Sequence, residues 1–414
     1  RNKRDTMPAI NAYLEHLNPL SSKTIAQRAK ANPAILNLSM GEPDFGPPAA
    51  LIDLICREDL NKERFLDAVK RYEHSRGSLS LRSAIAAWYR RRYAIDIDPE
   101  SEIMVTHGGI EALNLALQTL TNPGDGVLLA APAYSLYQRA IQLLNRKSQA
   151  LQRPEGEDEY VAALAEKNTH ASARAVLINS PENPTGYVMS DADWQALAND
   201  CHEHDRWVIH DEVYDTLAFT RRHINAWCIP ALRERSVLIN SCSKKFGVPG
   251  LRTGWLIGSP EVIEAASRVH ESLCLGVNIL SEPIAERLLS TPEVDTWVQQ
   301  QQDMLAARNR HALSSLGETQ GLRWPRRPMG GMFLFPEVSE LYRALPARLR
   351  GFSPDAGSAV AEYLLEERQI ATVPGIIYGT ESRHYLRLTN CASEQVFHQA
   401  IARLSSLNLG GKGA

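Results

Sequence analysis

The chain has 414 residues, 44% hydrophobic and 22% charged, which is ordinary for a folded globular protein and excludes a disordered one. Its formal net charge of −3 offers no field that would gather a polyanion, so a nucleic-acid partner is not expected. No apolar stretch has the length of a membrane span and the N-terminus has no signal-peptide core, so the expectation is a cytoplasmic chain with no membrane partner.

The chain opens on Arg1, and residues 1–6 read as an extension ahead of Met7. The segment up to about Asn32 is polar and helical in pattern. Ala34-Ile35-Leu36-Asn37-Leu38 then leads into the turn-rich Gly41-Glu42-Pro43-Asp44-Phe45-Gly46-Pro47-Pro48. Arg90-Arg91-Arg92 closes an apolar helical pattern, where positive charge suits the helix macrodipole and a solvated helix end is the expected role. From there short apolar runs alternate with helical patterns, predicting strands over 103–106, 127–130, 175–178, 207–210, 237–240 and 255–257. Ile110, Leu113, Leu117 and Leu120 fall at helical spacing after the first of them. The runs are continuously apolar, as in strands covered on both faces. The pattern predicts an α/β fold with a mostly parallel sheet and helices on both of its faces.

Beyond about Ser290 the pattern changes. A long polar helix over 292–316, the run Gly330-Gly331-Met332-Phe333-Leu334-Phe335, another helical stretch and the strand-like Tyr385-Leu386-Arg387-Leu388 predict a smaller α+β domain. The expected division is a large domain over 47–300 and a small one made of 1–46 plus 301–414. The six cysteines (Cys56, Cys201, Cys228, Cys242, Cys274, Cys391) show neither metal-type pairs nor a disulfide framework, as in a reducing compartment. There is no internal repeat.

In open α/β sheets ligands gather at the carboxyl ends of strands. Four strands here are followed at once by residues able to carry chemistry. The richest is Ser241-Cys242-Ser243-Lys244-Lys245-Phe246-Gly247-Val248-Pro249-Gly250-Leu251-Arg252. A lysine at a strand end can be desolvated and its amine made nucleophilic. Two hydroxyls and an arginine beside it suit a phosphate dianion. Thr106-His107-Gly108-Gly109-Ile110-Glu111 opens a helix after another strand, a natural anion cradle. Asn179-Ser180-Pro181-Glu182-Asn183-Pro184-Thr185-Gly186 and His210-Asp211-Glu212-Val213-Tyr214 follow the remaining two.

Together these strings resemble the class I/II aminotransferases of the fold-type I pyridoxal-phosphate enzymes, the aspartate aminotransferase family. The likeness runs from about residue 20 to about 404. It implies pyridoxal 5'-phosphate as cofactor, held as an imine by Lys244, with Arg252 on its phosphate. Lys245 is chemically plausible for the imine, but the spacing to Ser241 and Arg252 matches Lys244. Asp211 resembles the aspartate on the pyridine nitrogen, and Asn183 and Tyr214 resemble the two donors to O3'. The backbone of Gly108, Gly109 and Ile110 matches the phosphate turn, assisted by Ser241 and Ser243, and Tyr134 matches the ring-stacking aromatic. Arg387 resembles the arginine that grips the substrate α-carboxylate, with Gly41 near the same group. Tyr72 resembles the tyrosine that reaches the phosphate of a neighbouring subunit, which implies a homodimer.

The reaction implied is transfer of an amino group between an L-amino acid and a 2-oxo acid, with Lys244 moving the Cα proton. A lyase, decarboxylase or cyclase on the same scaffold would share these cofactor residues. A transcription regulator with a borrowed domain of this type would need an added DNA-binding segment, for which the chain leaves little room. Aspartate- and prephenate-specific relatives carry a lysine where this chain has Ile110, which argues against aspartate as substrate. Glu111 next to it could favour a cationic side chain, but a glutamate in a first helical turn ordinarily serves the dipole.

Overall fold

The computed structural model describes residues 21–165, 172–351, 353 and 355–407, with positions 8, 11 and 14 ahead of them. The reading of residues 1–6 therefore lies outside the described residues. A short strand, β1 (Leu36–Asn37), comes first in the chain. A seven-stranded sheet then forms from β2 (Ile103–Thr106), β3 (Gly126–Ala131), β4 (Lys147–Gln152), β5 (Ala173–Asn179), β6 (Trp207–Asp211), β7 (Ser236–Ser241) and β8 (Gly254–Ile257). Its spatial order is β2-β8-β7-β6-β5-β3-β4. Pairing is parallel except at β8, which runs antiparallel to both neighbours.

The continuous apolar runs have a direct cause. Successive residues feed two separate cores: Ile103, Val105, Val176, Ile178, Leu238 and Trp255 on one face, Met104, Ala175, Leu177, Val237, Ile239 and Leu256 on the other. Helices Leu79–Tyr93, Asp191–Glu203 and Glu282–Ser290 cover the first face. Helices Gly108–Leu120, Ser135–Leu143 and Pro260–Cys274 cover the second. Residues buried on both sides of a sheet need no polar alternation, so all six strands expected from the sequence form where it places them.

The strand that the sequence does not announce is β4. It is the sheet edge, Lys147-Ser148-Gln149-Ala150-Leu151-Gln152, and only Leu151 is buried. A polar strand of this kind is held by its ladder to β3 rather than by its own hydrophobicity.

A third core joins Leu36 and Leu38 from the N-terminal segment to Leu334, Leu364, Leu388 and Phe397. Beside it lie β9 (Phe333–Leu334), β10 (Ile370–Ala371), β11 (Val373–Pro374) and β12 (Leu386–Thr389). β1 pairs parallel with β10, while β12 lies antiparallel between β11 and β9. The long helix Pro292–Ser315 buries Val294 and Val298 in the sheet core and Ala312 in this third core. The division expected between 300 and 301 thus falls inside one continuous helix. Arg90–Arg92 do end helix Leu79–Tyr93; Arg90 reaches Asp96 and Arg91 reaches Asp295, both as exposed pairs.

Candidate active site

The carboxyl ends of β2, β5, β6 and β7 open on a cavity of about 430 Å³, closed from the other side by Gly41, Phe333, Tyr378 and Arg387. Of the residues singled out from the sequence, Gly41, Gly109, Ile110, Tyr134, Asn183, Asp211, Tyr214, Ser241, Ser243, Lys244, Arg252 and Arg387 line it. Gly108 does not line it and sits against the Arg252 guanidinium. Tyr72 does not line it: it stands on the surface, 86% exposed.

One wall is built from backbone. Helix Gly108–Leu120 starts without a side-chain cap, so its first N–H groups are left for an anion. Gly108 has φ +73°, and a Cβ there would collide with the Arg252 guanidinium, so glycine lets the cation sit over the helix start. Gly254 does similar work from below, since its Cβ would stand 2.6 Å from the Gly108 carbonyl carbon. Arg252 donates to the Pro249 carbonyl at 3.0 Å, and Ser243 N–H to Ser241 Oγ at 3.3 Å.

Lys244 reaches into the cavity and donates to the Gly41 carbonyl at 2.6 Å. Burial, helped by the charges of Arg387 and Arg252, lowers its pKa from the usual lysine value. Gly41 itself must be small, because a Cβ would stand 2.5 Å from the Phe333 ring. Opposite, Asp211 ends β6 with its carboxylate accepting from Tyr137 Oη at 2.7 Å and from Val213 N–H at 3.1 Å. Burial raises its pKa to about 6 against these hydrogen bonds. No ion pair to Asp211 occurs among the described residues, so the carboxylate faces the cavity with its charge unmatched. Tyr134 and Tyr214 flank it, both with phenol pKa raised chiefly by burial.

Arg387 comes from β12. One guanidinium nitrogen donates to Asn183 Oδ1 at 3.1 Å and the other to the Ser39 carbonyl at 2.7 Å. The group lies 4.1 Å from the Phe333 ring centre and 5.1 Å from that of Tyr378. Its Nε is buried without a partner, as expected of a donor waiting for a ligand. Asn183 is set in turn by its backbone N–H on Asn179 Oδ1 at 2.8 Å, and Asn179 Nδ2 donates to the Asp211 carbonyl at 2.9 Å.

Alternate residues on these same segments turn away from the cavity. Lys245 is fully buried, 2.9 Å from Asp215 Oδ1, 2.9 Å from the Ser241 carbonyl, and hydrogen-bonded to Asn240 Oδ1. Asp215 also accepts from Tyr93 Oη at 2.5 Å. Glu212 accepts from Tyr89 and lies 2.7 Å from His223 Nε2. The two adjacent lysines therefore do different things, one facing ligand space and the other saturated behind the sheet.

Sequence reasoning missed Tyr137, Asn179, Tyr378, Phe333 and Gly254, whose roles depend on contacts across the chain. It also missed Lys23 and Glu42, which line the cavity. Ile110 lines the cavity and is 37% exposed. Glu111 does not line it; its carboxylate turns to His107 and His270.

The residues fit a phosphorylated pyridine aldehyde: a helix start and Arg252 for a dianion, a desolvated amine at Lys244, and an unmatched carboxylate at Asp211. The family model for aminotransferase class I and II matches residues 33–404. The arginine–pyruvate transaminase of Pseudomonas aeruginosa is 29% identical over 386 residues, covering 91% of each chain. The aspartate aminotransferase of Streptomyces avermitilis is 27% identical over 94% of this chain and 92% of its own. The solved structure of N-succinyldiaminopimelate aminotransferase from Mycobacterium tuberculosis superposes with a TM-score of 0.83 at 27% identity, over 96% of this chain and 100% of that one.

Proposed function

The chain belongs to the class I and II aminotransferases, enzymes that depend on pyridoxal 5'-phosphate, and from that premise we propose how its own residues divide the work. When bound, the cofactor supplies an electrophilic aldehyde carbon and a pyridinium that accepts the electron pair left at the substrate Cα. Lys244 is the residue that holds it covalently. The amides of Gly109 and Ile110 at the helix start, with Ser241, Ser243 and Arg252, hold the phosphate. Asp211 holds the ring nitrogen, and the positive charge there is the partner its buried carboxylate lacks. Asn183 and Tyr214 donate to the ring hydroxyl, and Tyr134 packs against the ring.

Arg387 binds the substrate α-carboxylate. Its unpartnered Nε supports this, and Asn183 and Ser39 fix the plane of the fork. Gly41 shapes the same corner. The Lys244 amine, its pKa lowered chiefly by burial, takes the proton from Cα and holds it for return. The single observation that carries the reading is that Lys244, Asp211 and Arg387 line one cavity where, among the described residues, the Asp211 carboxylate has no cationic partner and the Arg387 Nε no hydrogen-bond partner.

The finer parts of the proposal are a homodimer, a cytoplasmic location, and Tyr72 completing the cavity of a second copy. Tyr72 supports the dimer by its exposure. Leu273 and Leu275 are also exposed, and Ser75 ties the two segments together through Glu271 at 2.7 Å. The large unit over 47–300 and the small unit of 1–46 with 301–414 would close on substrate and exclude water, hinged within helix Pro292–Ser315.

Relatives of nearly equal identity act, by name, on arginine or on aspartate, so identity does not select the donor. Ile110 disfavours aspartate, and Lys23 and Glu42 are the charged residues left at the cavity to meet a side chain. The test is a panel of amino acids added to the purified enzyme without acceptor. Transamination predicts one 2-oxo acid released per cofactor, then arrest until an oxo acid is supplied. Continued turnover without an acceptor would point instead to a lyase or decarboxylase.

A further inference from the structure

Behind the helix start that cradles the phosphate lies a side-chain cluster that the transfer chemistry does not use. His107 is the residue before helix Gly108–Leu120, and Glu111 lies in its first turn. His270 and Cys274 stand one turn apart at the end of helix Pro260–Cys274. His107 Nδ1 is 3.1 Å from Glu111 Oε2, and His270 Nδ1 is 2.8 Å from Glu111 Oε1. Cys274 Sγ is 3.2 Å from the same Oε1 and 3.4 Å from His270 Nδ1. The ligating atoms of His107, Glu111 and Cys274 all lie within 4.8 Å of one another.

We propose that His107 Nδ1, the Glu111 carboxylate and Cys274 Sγ form a site for one zinc-like divalent cation, with His270 fixing the carboxylate from behind. The donor set is one nitrogen, one oxygen and one sulfur, which suits Zn²⁺ or Co²⁺ and not the hard cations Mg²⁺ or Ca²⁺. A tetrahedral ion with bonds of about 2.0–2.3 Å spaces its ligands roughly 3.3–3.8 Å apart. The 3.1 and 3.2 Å contacts to Glu111 would therefore open slightly, while all three ligating atoms already lie within 4.8 Å of one another. His107 and Cys274 both reach the surface, which leaves the fourth position to water. Binding makes the metal–sulfur bond and sends the thiol proton to solvent, while His107 ligates through the Nδ1 lone pair with its proton on Nε2. The ion would pin the residue preceding Gly108 to the neighbouring helix, and through it the phosphate cradle.

The test uses the cofactor-loaded enzyme, stripped with chelator, desalted and titrated with Co²⁺. The expected result is about one equivalent bound per chain, with tetrahedral visible bands and a cobalt–thiolate band in the near ultraviolet. Cys274→Ser should lose the ultraviolet band, and His270→Ala should weaken binding about 10–100-fold while keeping it. Bound Zn²⁺ should raise the melting temperature of the wild type and not that of Cys274→Ser. Absence of uptake, or equal uptake by Cys274→Ser, overturns the proposal and leaves a hydrogen-bonded cluster only.

Discussion

Residues 211, 214 and 244 and their immediate neighbours 212, 215 and 245 share the same strand ends yet live in opposite electrostatic conditions. The first set faces the cavity, where among the described residues Asp211 pairs with no cation and Lys244 donates to a carbonyl. The second set faces the far side, where Lys245 meets Asp215 and Glu212 meets His223 and Tyr89. Both sets are buried except Lys244, which is half-buried. What separates them is saturation: a buried charge with all its partners is architecture, and one left short is prepared for a ligand.

Substitutions on the two sides should fail in different ways. The largest effect belongs to the cavity side: Lys244→Ala should cut transamination by about a thousandfold or more while leaving the denaturation midpoint nearly unchanged. On the far side, Lys245→Met should leave Asp215 as an uncompensated buried charge and cost roughly 3–5 kcal/mol of stability in urea unfolding. If Lys245→Met proved as stable as the wild type, the contrast would break. Arg387→Lys keeps the charge but loses the planar fork, so KM for the amino acid should rise about 10–100-fold, with far less change in the melting temperature. A KM unaffected by this change would remove Arg387 from substrate binding.

A smaller effect is read by pH in the cofactor-free protein. The Asp211 pKa is raised from 3.8 to about 6 by burial, so the folded state binds its proton more tightly than the unfolded chain. Its contribution is full below about pH 4 and fades as pH rises through 6, amounting to roughly 1–3 kcal/mol. Asp211→Asn should flatten that part of the stability profile. A slope that persists in the variant would assign it to another group.

Much of this was legible in the sequence because strands covered on both faces write themselves as apolar runs, and because the residues after them are tied to local turns. The order Ser241, Ser243, Lys244, Arg252 is one such local unit. What stayed hidden depends on distant partners. Spacing to Ser241 and Arg252 marked Lys244 for the cofactor, but that Lys245 is held by Asp215, which arrives from another segment, was not readable from the letters. Tyr137 offered no signal as the partner of Asp211, since its approach depends on how helix Ser135–Leu143 packs on the sheet. β4 stayed hidden because an edge strand can be polar.

The central claim is that Lys244, and not its neighbour, faces the chemistry. Borohydride reduction of the loaded enzyme, followed by proteolysis and mass spectrometry, locates the lysine bound to the cofactor. The account predicts the pyridoxyl mass on Lys244 alone; finding it on Lys245 would contradict the division between the two sides of the sheet.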